Sequence, residues 1–308
     1  MSDVDTTSVE GLIGGLRSHR KRRGFAASSE HRNGHYLRAF ADWAGDRALG
    51  EITATEIDQG FLAQWCGSFE LRNGREPSPQ TLRNLITKLR ALYEYAERFD
   101  LLVGADGQPV RNPMTKIDLP KVKRVIKDWL TPEEYQQLLL ATASPNELFT
   151  VVWLGMSAMR IGEAGQVTWK DVDLTGSSIL IRSGKSDEAV RRITMSSELR
   201  AYVQRHLQRQ HQRGLADPTT PVFCTRHGNP IREQQANRTL KRVATRAGIT
   251  KNVSCHALRR SWAMHAVTLI SIEAVAAHLG HANSSTTAAH YARVQFPQVE
   301  AEILKAFG

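Results

Sequence analysis

Three features predict a mainly α-helical protein with one small β-sheet, divided into two domains. Apolar residues recur at helical spacing through most of the chain. One stretch, "SSILIRSGKSDEAVRRITM" at 177–195, alternates instead and turns at Gly184-Lys185-Ser186-Asp187, the pattern of a β-hairpin. At 308 residues with 41% hydrophobic content, each half is long enough to bury a core of its own.

The first 25 residues read as a basic tail, because "SHRKRRG" at 18–24 dominates them. A helical domain follows over 26–118. "SSEHRNGHYLRAFADWAG" places Tyr36, Phe40 and Trp43 on one helical face before Gly45. Thr53 and Glu56 have capping-box spacing ahead of "IDQGFLAQW". Ser78-Pro79 is a cap and first helical position for the next helix. Its Leu82, Leu85, Ile86, Leu89, Leu92, Tyr93 and Ala96 form one apolar face, read as core. From 112 onward prolines and basic residues take over, and 119–130 reads as a basic linker able to lie across phosphates.

The second domain is expected over 131–308. Thr131-Pro132-Glu133-Glu134 is a capping box, with Leu130 and Tyr135 spaced as a hydrophobic staple. Ser144-Pro145-Asn146-Glu147 repeats the device before the apolar run "LFTVVWLGMSAMRIGEAGQV". After the hairpin, helices are expected at 197–213 and 232–247, ended by Gly214 and Gly248. Further helices are expected around 256–268, 271–279, 285–294 and from Pro297 to the end.

Net charge is +10, and basic residues cluster in "SHRKRRG", "PKVKRVIK", "RAYVQRHLQRQHQRG" and "LKRVATRAGITK". Lys and Arg gain affinity for a polyanion by releasing its condensed counterions, so nucleic acid is the expected partner. A solvated basic surface explains the charge alone but not the clustering. Candidate DNA contacts are Arg20, Lys21, Arg22 and Arg23 in the tail, and Lys121, Lys123, Arg124 and Lys127 in the linker. No run approaches the roughly 20 apolar residues of a membrane span, and the acidic "MSDVDTTSVEG" lacks a secretory pattern. The expected location is the cytoplasm. Cys66, Cys224 and Cys255 are widely spaced, which argues against a disulfide framework. Cys255-His256 with His281 and His290 invites a metal site but lacks ligand spacing, and none is expected.

Four places put polar residues where packing does not need them. Arg160 and Glu163 are read as closing an apolar helix on one face. Lys185 sits at the hairpin tip, and His256 and Arg259 share a helical face. "LGHANSSTTAAHYARV" at 279–294 holds His281 and Tyr291, and alone it also reads as a helix-turn-helix. Each place has an innocent explanation: an ion pair, a solvated turn, a helix-end contact. Together they suit one reaction. Two arginines can hold a phosphate's non-bridging oxygens. A lysine can protonate a leaving alkoxide, and a histidine can take a proton from a phenol. A tyrosine is only about one part in a thousand phenolate at neutral pH, so it needs such neighbours to attack. A phosphotyrosyl product keeps one phosphodiester in place of another, so the step reverses without ATP. No P-loop and no acidic cluster suited to Mg²⁺ is present in the sequence.

Arg160 in "MRIGE", Lys185 in "SGKS", "HALRR" at 256–260, "LGH" at 279–281 and Tyr291, in that order, resemble the motifs of the tyrosine recombinases, the phage-integrase family. The likeness covers the second half. The first half is similar to the family's helical core-binding (SAM-like) domain. The resemblance implies a two-domain C-shaped clamp on double-stranded DNA with an inverted-repeat core site. It implies a tetramer on two duplexes, a Holliday-junction intermediate, and no metal or nucleotide cofactor. Arg160 and Arg259 would clamp the scissile phosphate, Lys185 would be the general acid toward the 5′-oxygen, and His256 would take the tyrosine proton. His281 would hydrogen-bond the phosphate, and Tyr291 would form a 3′-phosphotyrosine. Glu163 would organise the site without reacting.

Tyr291 follows His281 by ten residues, one more than the commoner family pattern. Val299, Ile303 and Phe307 form a stripe on the last helix, expected over 297–307. That stripe either packs on its own domain or docks on a neighbouring protomer. Two other functions fit parts of the pattern: a type IB topoisomerase-like relaxation of strands, and a catalytically silent sequence-specific DNA-binding regulator. The topoisomerase would use a similar residue set, and the compact first half and short tail disfavour it. The complete set of motif residues argues against the silent regulator. Accessory proteins are compatible with every reading.

Overall fold

The computed structural model describes residues 8–24, 27–122, 128–182 and 190–280 (for 27–33 the backbone only). The chain divides into two compact units, Met1–Val125 and Ile126–Gly308.

The first unit is built on α1 (Val9–Arg22), α2 (Ala27–Ala44), α3 (Ala63–Asn73) and α4 (Pro79–Arg98). Helices α1, α2 and α4 pack on one another. The basic stretch expected to be a tail is therefore helix α1. Ser8 caps it, its side-chain oxygen accepting the Gly11 N–H at 3.2 Å. Val9, Leu12, Ile13 and Leu16 are buried in the first unit's core. That core outweighs the charge. Arg20, Lys21, Arg22 and Arg23 come at the helix's carboxyl end, where cations complement the helix dipole. Lys21, Arg22 and Arg23 are exposed, while Arg20 is half-buried.

Helix α4 starts as its cap requires, with the Ser78 hydroxyl accepting the Thr81 N–H. Its apolar face is buried from Leu85 to Ala96, with Leu82 only half-buried at the edge. Thr53 and Glu56 make their reciprocal bonds at 2.9 and 3.3 Å, but the turn they open, Glu56–Leu62, is π-helical before it passes into α3. The first unit also claims the start of the proline-rich segment. Asn112 caps a 3₁₀ turn over Pro113–Lys116, and Met114 and Ile117 join the core. Arg90 Nη2 donates to the Ile117 carbonyl and Arg83 Nη1 to that of Pro120. Lys121 is exposed. Lys123, Arg124 and Lys127 lie outside the described residues.

The second unit centres on α6 (Pro145–Ser157), packed by α5 (Pro132–Leu140) and by three helices from later in the chain. These are α8 (Ser197–Gln212), α9 (Glu233–Arg246) and α10 (Cys255–Ala266). The Thr131 capping box holds as read. Thr131 Oγ1 accepts from Glu134 N–H at 3.2 Å while Glu134 Oε2 accepts from Thr131 N–H at 2.8 Å. At Ser144 the hydroxyl accepts the Glu147 N–H, but Glu147 Oε2 accepts from Ala143 N–H and not from the cap, so the reciprocal box expected there does not form. Phe149, Val151, Val152, Trp153 and Leu154 are all buried, because α6 is covered on every side. A second expectation fails here. The apolar helix ends at Ser157, and Ala158 turns left-handed at φ 52°. Arg160 caps a separate short helix, α7 (Ile161–Ala164). The sheet is antiparallel in the order β1 (Val172–Asp173), β2 (Ser178–Ile181), β3 (Arg191–Thr194). The hairpin register pairs Ile179 with Ile193 and Ile181 with Arg191. Helix α11 (Ile272–Leu279) closes the described part and ends on Gly280, which is left-handed at φ 64°. No described helix is long and apolar enough to cross a membrane.

Candidate active site

The site forms around the carboxyl end of α11. The last carbonyls of any helix have no partner within it and carry the negative end of its dipole. Here three guanidinium groups from three places in the chain take three consecutive carbonyls. Arg191 Nε donates to His278 at 3.0 Å, Arg259 Nη2 to Leu279 at 2.6 Å, and Arg160 Nη2 to Gly280 at 3.1 Å. Arg259 also donates through Nη1 to the Ala158 carbonyl at 2.7 Å. The left-handed turn at Ala158 thus aims a backbone oxygen at α10 and swings Arg160 away from α6.

Glu163 lies under the arginines, its side chain 5% exposed. Oε1 accepts from Arg160 Nη1 at 2.9 Å and from Arg191 Nη1 at 3.1 Å. Oε2 accepts from the Arg160 backbone N–H at 2.8 Å and from Arg191 Nη2 at 2.9 Å, with Arg259 Nη1 3.9 Å away. Burial pushes the carboxyl pKa upward, but the bonds from Arg191 and Arg160 and the charge of Arg191 outweigh it and hold it below the ordinary value. Glu163 is therefore an anion at neutral pH. One carboxylate among three guanidinium groups leaves a local excess of positive charge, suited to an anion such as a phosphodiester.

The predicted residues divide by burial. Arg160 keeps 43% of its side chain exposed, whereas Arg259 is held at 9%. His256 is exposed in the first turn of α10, whose cap is the Ser254 hydroxyl bonding the Ala257 N–H. Arg259 follows on the next turn. Lys185, His281 and Tyr291, along with the helices expected at 285–294 and 297–307, lie outside the described residues. The Arg160–Glu163 pair is more than a helix ion pair, because α7 presents Glu163 to Arg191 on β3 as well.

Sequence reading missed two members of this cluster. Arg191 looked like one more basic residue, although it stands two positions before the buried Ile193 and so shares its face of the strand. His278 comes two residues before Gly280. Its Nε2 contacts the Ser157 carbonyl at 3.0 Å, and its ring stacks on Trp262 with centroids 4.2 Å apart. Burial lowers the His278 pKa, and the Arg191 and Arg259 charges lower it further against that carbonyl contact. A neutral His278 fastens α11 to the end of α6.

The comparisons with known proteins agree with this architecture. The family model described as the phage integrase family matches residues 128–298, more than half of the chain. A tyrosine recombinase of Thermosipho africanus is 26% identical over 257 residues, covering 82% of this chain and 83% of that protein. The tyrosine recombinase XerC of Xanthomonas campestris pv. campestris (strain B100) is 26% identical over 293 residues, covering 93% and 84%. Among solved structures, the Tn1549 transposon integrase with a circular intermediate DNA superposes with a TM-score of 0.74 at 18% identity. That match covers 97% of this chain and 99% of the other. A lambda integrase tetramer bound to a Holliday junction gives 0.69 at 14% identity, covering 90% and 78%. These structural matches establish a shared fold. The protein is an enzyme of the tyrosine recombinase class, which cleaves and rejoins DNA strands. It belongs to the phage integrase family.

Proposed function

We propose that this protein is a site-specific recombinase that cleaves each DNA strand through Tyr291 and passes through a 3′-phosphotyrosyl intermediate. The observation that carries the reading is the convergence of Arg160 and Arg259, far apart in sequence, on one carboxylate and one helix end. Their positive excess is where a scissile phosphate is held. The Tyr291 hydroxyl attacks phosphorus and gives its proton to His256. The bond from phosphorus to the 5′-oxygen breaks, and Lys185 protonates that oxygen. His281 hydrogen-bonds the phosphate. Arg160 and Arg259 stabilise the charge that gathers on the non-bridging oxygens. The freed 5′-hydroxyl of a second duplex reverses the step, so the reaction conserves phosphodiester energy.

The assembly we propose is a tetramer holding two duplexes, with a Holliday junction between two rounds of exchange. The lambda integrase tetramer bound to a Holliday junction, which shares the fold, supports it. The stripe Val299, Ile303 and Phe307 is the proposed protomer contact. Arg20, Lys21, Arg22, Arg23, Lys121, Lys123, Arg124 and Lys127 are proposed to contact the DNA backbone, since phosphate contacts fix register without reading sequence. The protein then works where the chromosome is, in the cytoplasm.

Covalent capture tests the reading. The protein is mixed with nicked genomic fragments, denatured in detergent, and the attached DNA is sequenced. Adducts at one short inverted repeat, lost in Tyr291→Phe while specific binding persists, are the expected result. Adducts spread over many sequences would indicate topoisomerase-like relaxation. Adducts that survive Tyr291→Phe would overturn the assignment of the nucleophile.

A further inference from the structure

We infer that Arg191 is a positioning residue for strand cleavage: it occupies Glu163 and the end of α11 so that Arg160 stays available to the phosphate. This rests on the strand-cleavage reading above. Arg191 comes from β3, apart from the residues that carry the family resemblance, and its side chain is 12% exposed. Its guanidinium fork meets both oxygens of Glu163, at 3.1 and 2.9 Å, and its Nε meets the His278 carbonyl at 3.0 Å. A planar fork matched to a carboxylate in this way gives geometric definition as well as charge.

The consequence falls on Arg160. Because Arg191 provides the two-point contact, Arg160 gives Glu163 one guanidinium nitrogen and keeps much of its side chain open. Removing Arg191 would leave Glu163 buried with Arg160 as its nearest cation. Arg160 would then be drawn onto the carboxylate, because a buried anion that loses a partner is strongly unfavourable. The site would lose one unit of positive charge at the same time. Arg191 also steadies the His278 carbonyl, beside those that Arg259 and Arg160 hold, so its loss loosens the helix end on which both clamp arginines rest.

The test uses Arg191→Gln and Arg191→Lys in the full chain. Each is assayed on nicked duplexes carrying the sequence recovered by covalent capture with the wild-type protein. The scissile linkage is either an ordinary phosphodiester or a neutral methylphosphonate. DNA affinity, single-turnover adduct formation and melting temperature are measured together. Arg191→Gln is expected to bind DNA like the wild type while forming adduct about tenfold to a hundredfold more slowly, as supporting residues commonly do. Arg191→Lys keeps the charge without the fork and is expected to recover only part of the rate. On the methylphosphonate, which makes less use of positive charge, the gap between Arg191→Gln and the wild type should narrow severalfold. A merely structural role would slow both substrates by the same factor, and that result would overturn the inference. So would wild-type cleavage of the phosphodiester by Arg191→Gln. If Arg191→Gln melts too early to assay, Arg191→Lys carries the test, and wild-type cleavage by it would also overturn the inference. The strand-cleavage reading fails on a different observation, adducts that persist in Tyr291→Phe, so the two failures are distinguishable.

Discussion

Burial, more than residue type, sets what each charged or titratable side chain does here. His206 on α8 is 4% exposed, and its ring lies flat on Phe149 with centroids 3.5 Å apart. Its Nε2 meets the Val222 carbonyl at 3.1 Å, and Arg209 Nη2 lies 3.3 Å from Nδ1. Burial lowers the pKa to about 4, and the Arg209 and Arg213 charges add to it against the Val222 contact. A folded-state value below the unfolded one means the unfolded chain binds the proton first as pH falls. The stability His206 contributes is therefore complete above about pH 6.5 and is lost toward pH 4. The slope approaches about 1.4 kcal/mol per pH unit, up to about 3 kcal/mol in all. Urea melts across that window should show the loss, and His206→Phe should flatten part of it. An unchanged slope in that variant would assign the acid sensitivity to other groups.

At the scale of the element, the site depends on how two helices end. Helix α6 stops at a left-handed alanine, and α11 stops at a left-handed glycine. At Gly280 the space is as demanding as the dihedral angle. A Cβ there would come within 2.6 Å of Arg191 Nη1 and 2.7 Å of its Cζ. Three hydrogen bonds tether that guanidinium, so it cannot move aside without releasing Glu163 or His278. Gly280→Ala should therefore destabilise the protein by about 1–2 kcal/mol through left-handed strain. It should also slow adduct formation more than it weakens DNA binding. A chemical melt and a binding titration on one preparation check both. Wild-type stability and rate in this variant would show that the helix end tolerates a side chain.

At the scale of the molecule, each unit owns a separate core. Twenty-odd apolar side chains around Phe40, Leu89 and Tyr93 fill the first, and the cluster around Trp153 and Phe223 fills the second. Residues 128–130 are fastened to the second unit. Arg260 Nε meets the Asp128 carbonyl at 3.0 Å, Lys251 Nζ that of Trp129 at 3.1 Å, and the Ser261 hydroxyl accepts from Leu130 N–H at 2.8 Å. A fragment spanning 126–308 should accordingly fold alone, with one cooperative thermal transition and helical circular dichroism. A fragment that stays unfolded would mean that the first unit supplies part of its stability.

Much of this was legible in the sequence wherever the cause was local. Ser78, Thr131 and Ser144 announce helices because a short polar side chain followed by a proline, with an acid three residues on at Thr131 and Ser144, satisfies bonds within a few residues. The family motifs were legible too, since their order and spacing survive in one dimension. Three features were decided only by tertiary structure. The basic run at 18–24 concealed α1, whose helical existence depends on a core supplied by α2 and α4. The apolar run at 148–159 carries no proline or glycine where α6 stops, so the break at Ala158 follows from what its carbonyl and Arg160 meet across the fold. Arg191 and Arg192 are neighbours of the same residue type. The first is fixed on Glu163 and the second is exposed, because only the folded chain brings a buried carboxylate to one face of β3. Sequence determined which chemical groups the chain carries and where its helices start. Long-range burial, which pairs charges distant along the chain, decided where α6 ends and which arginine supports which.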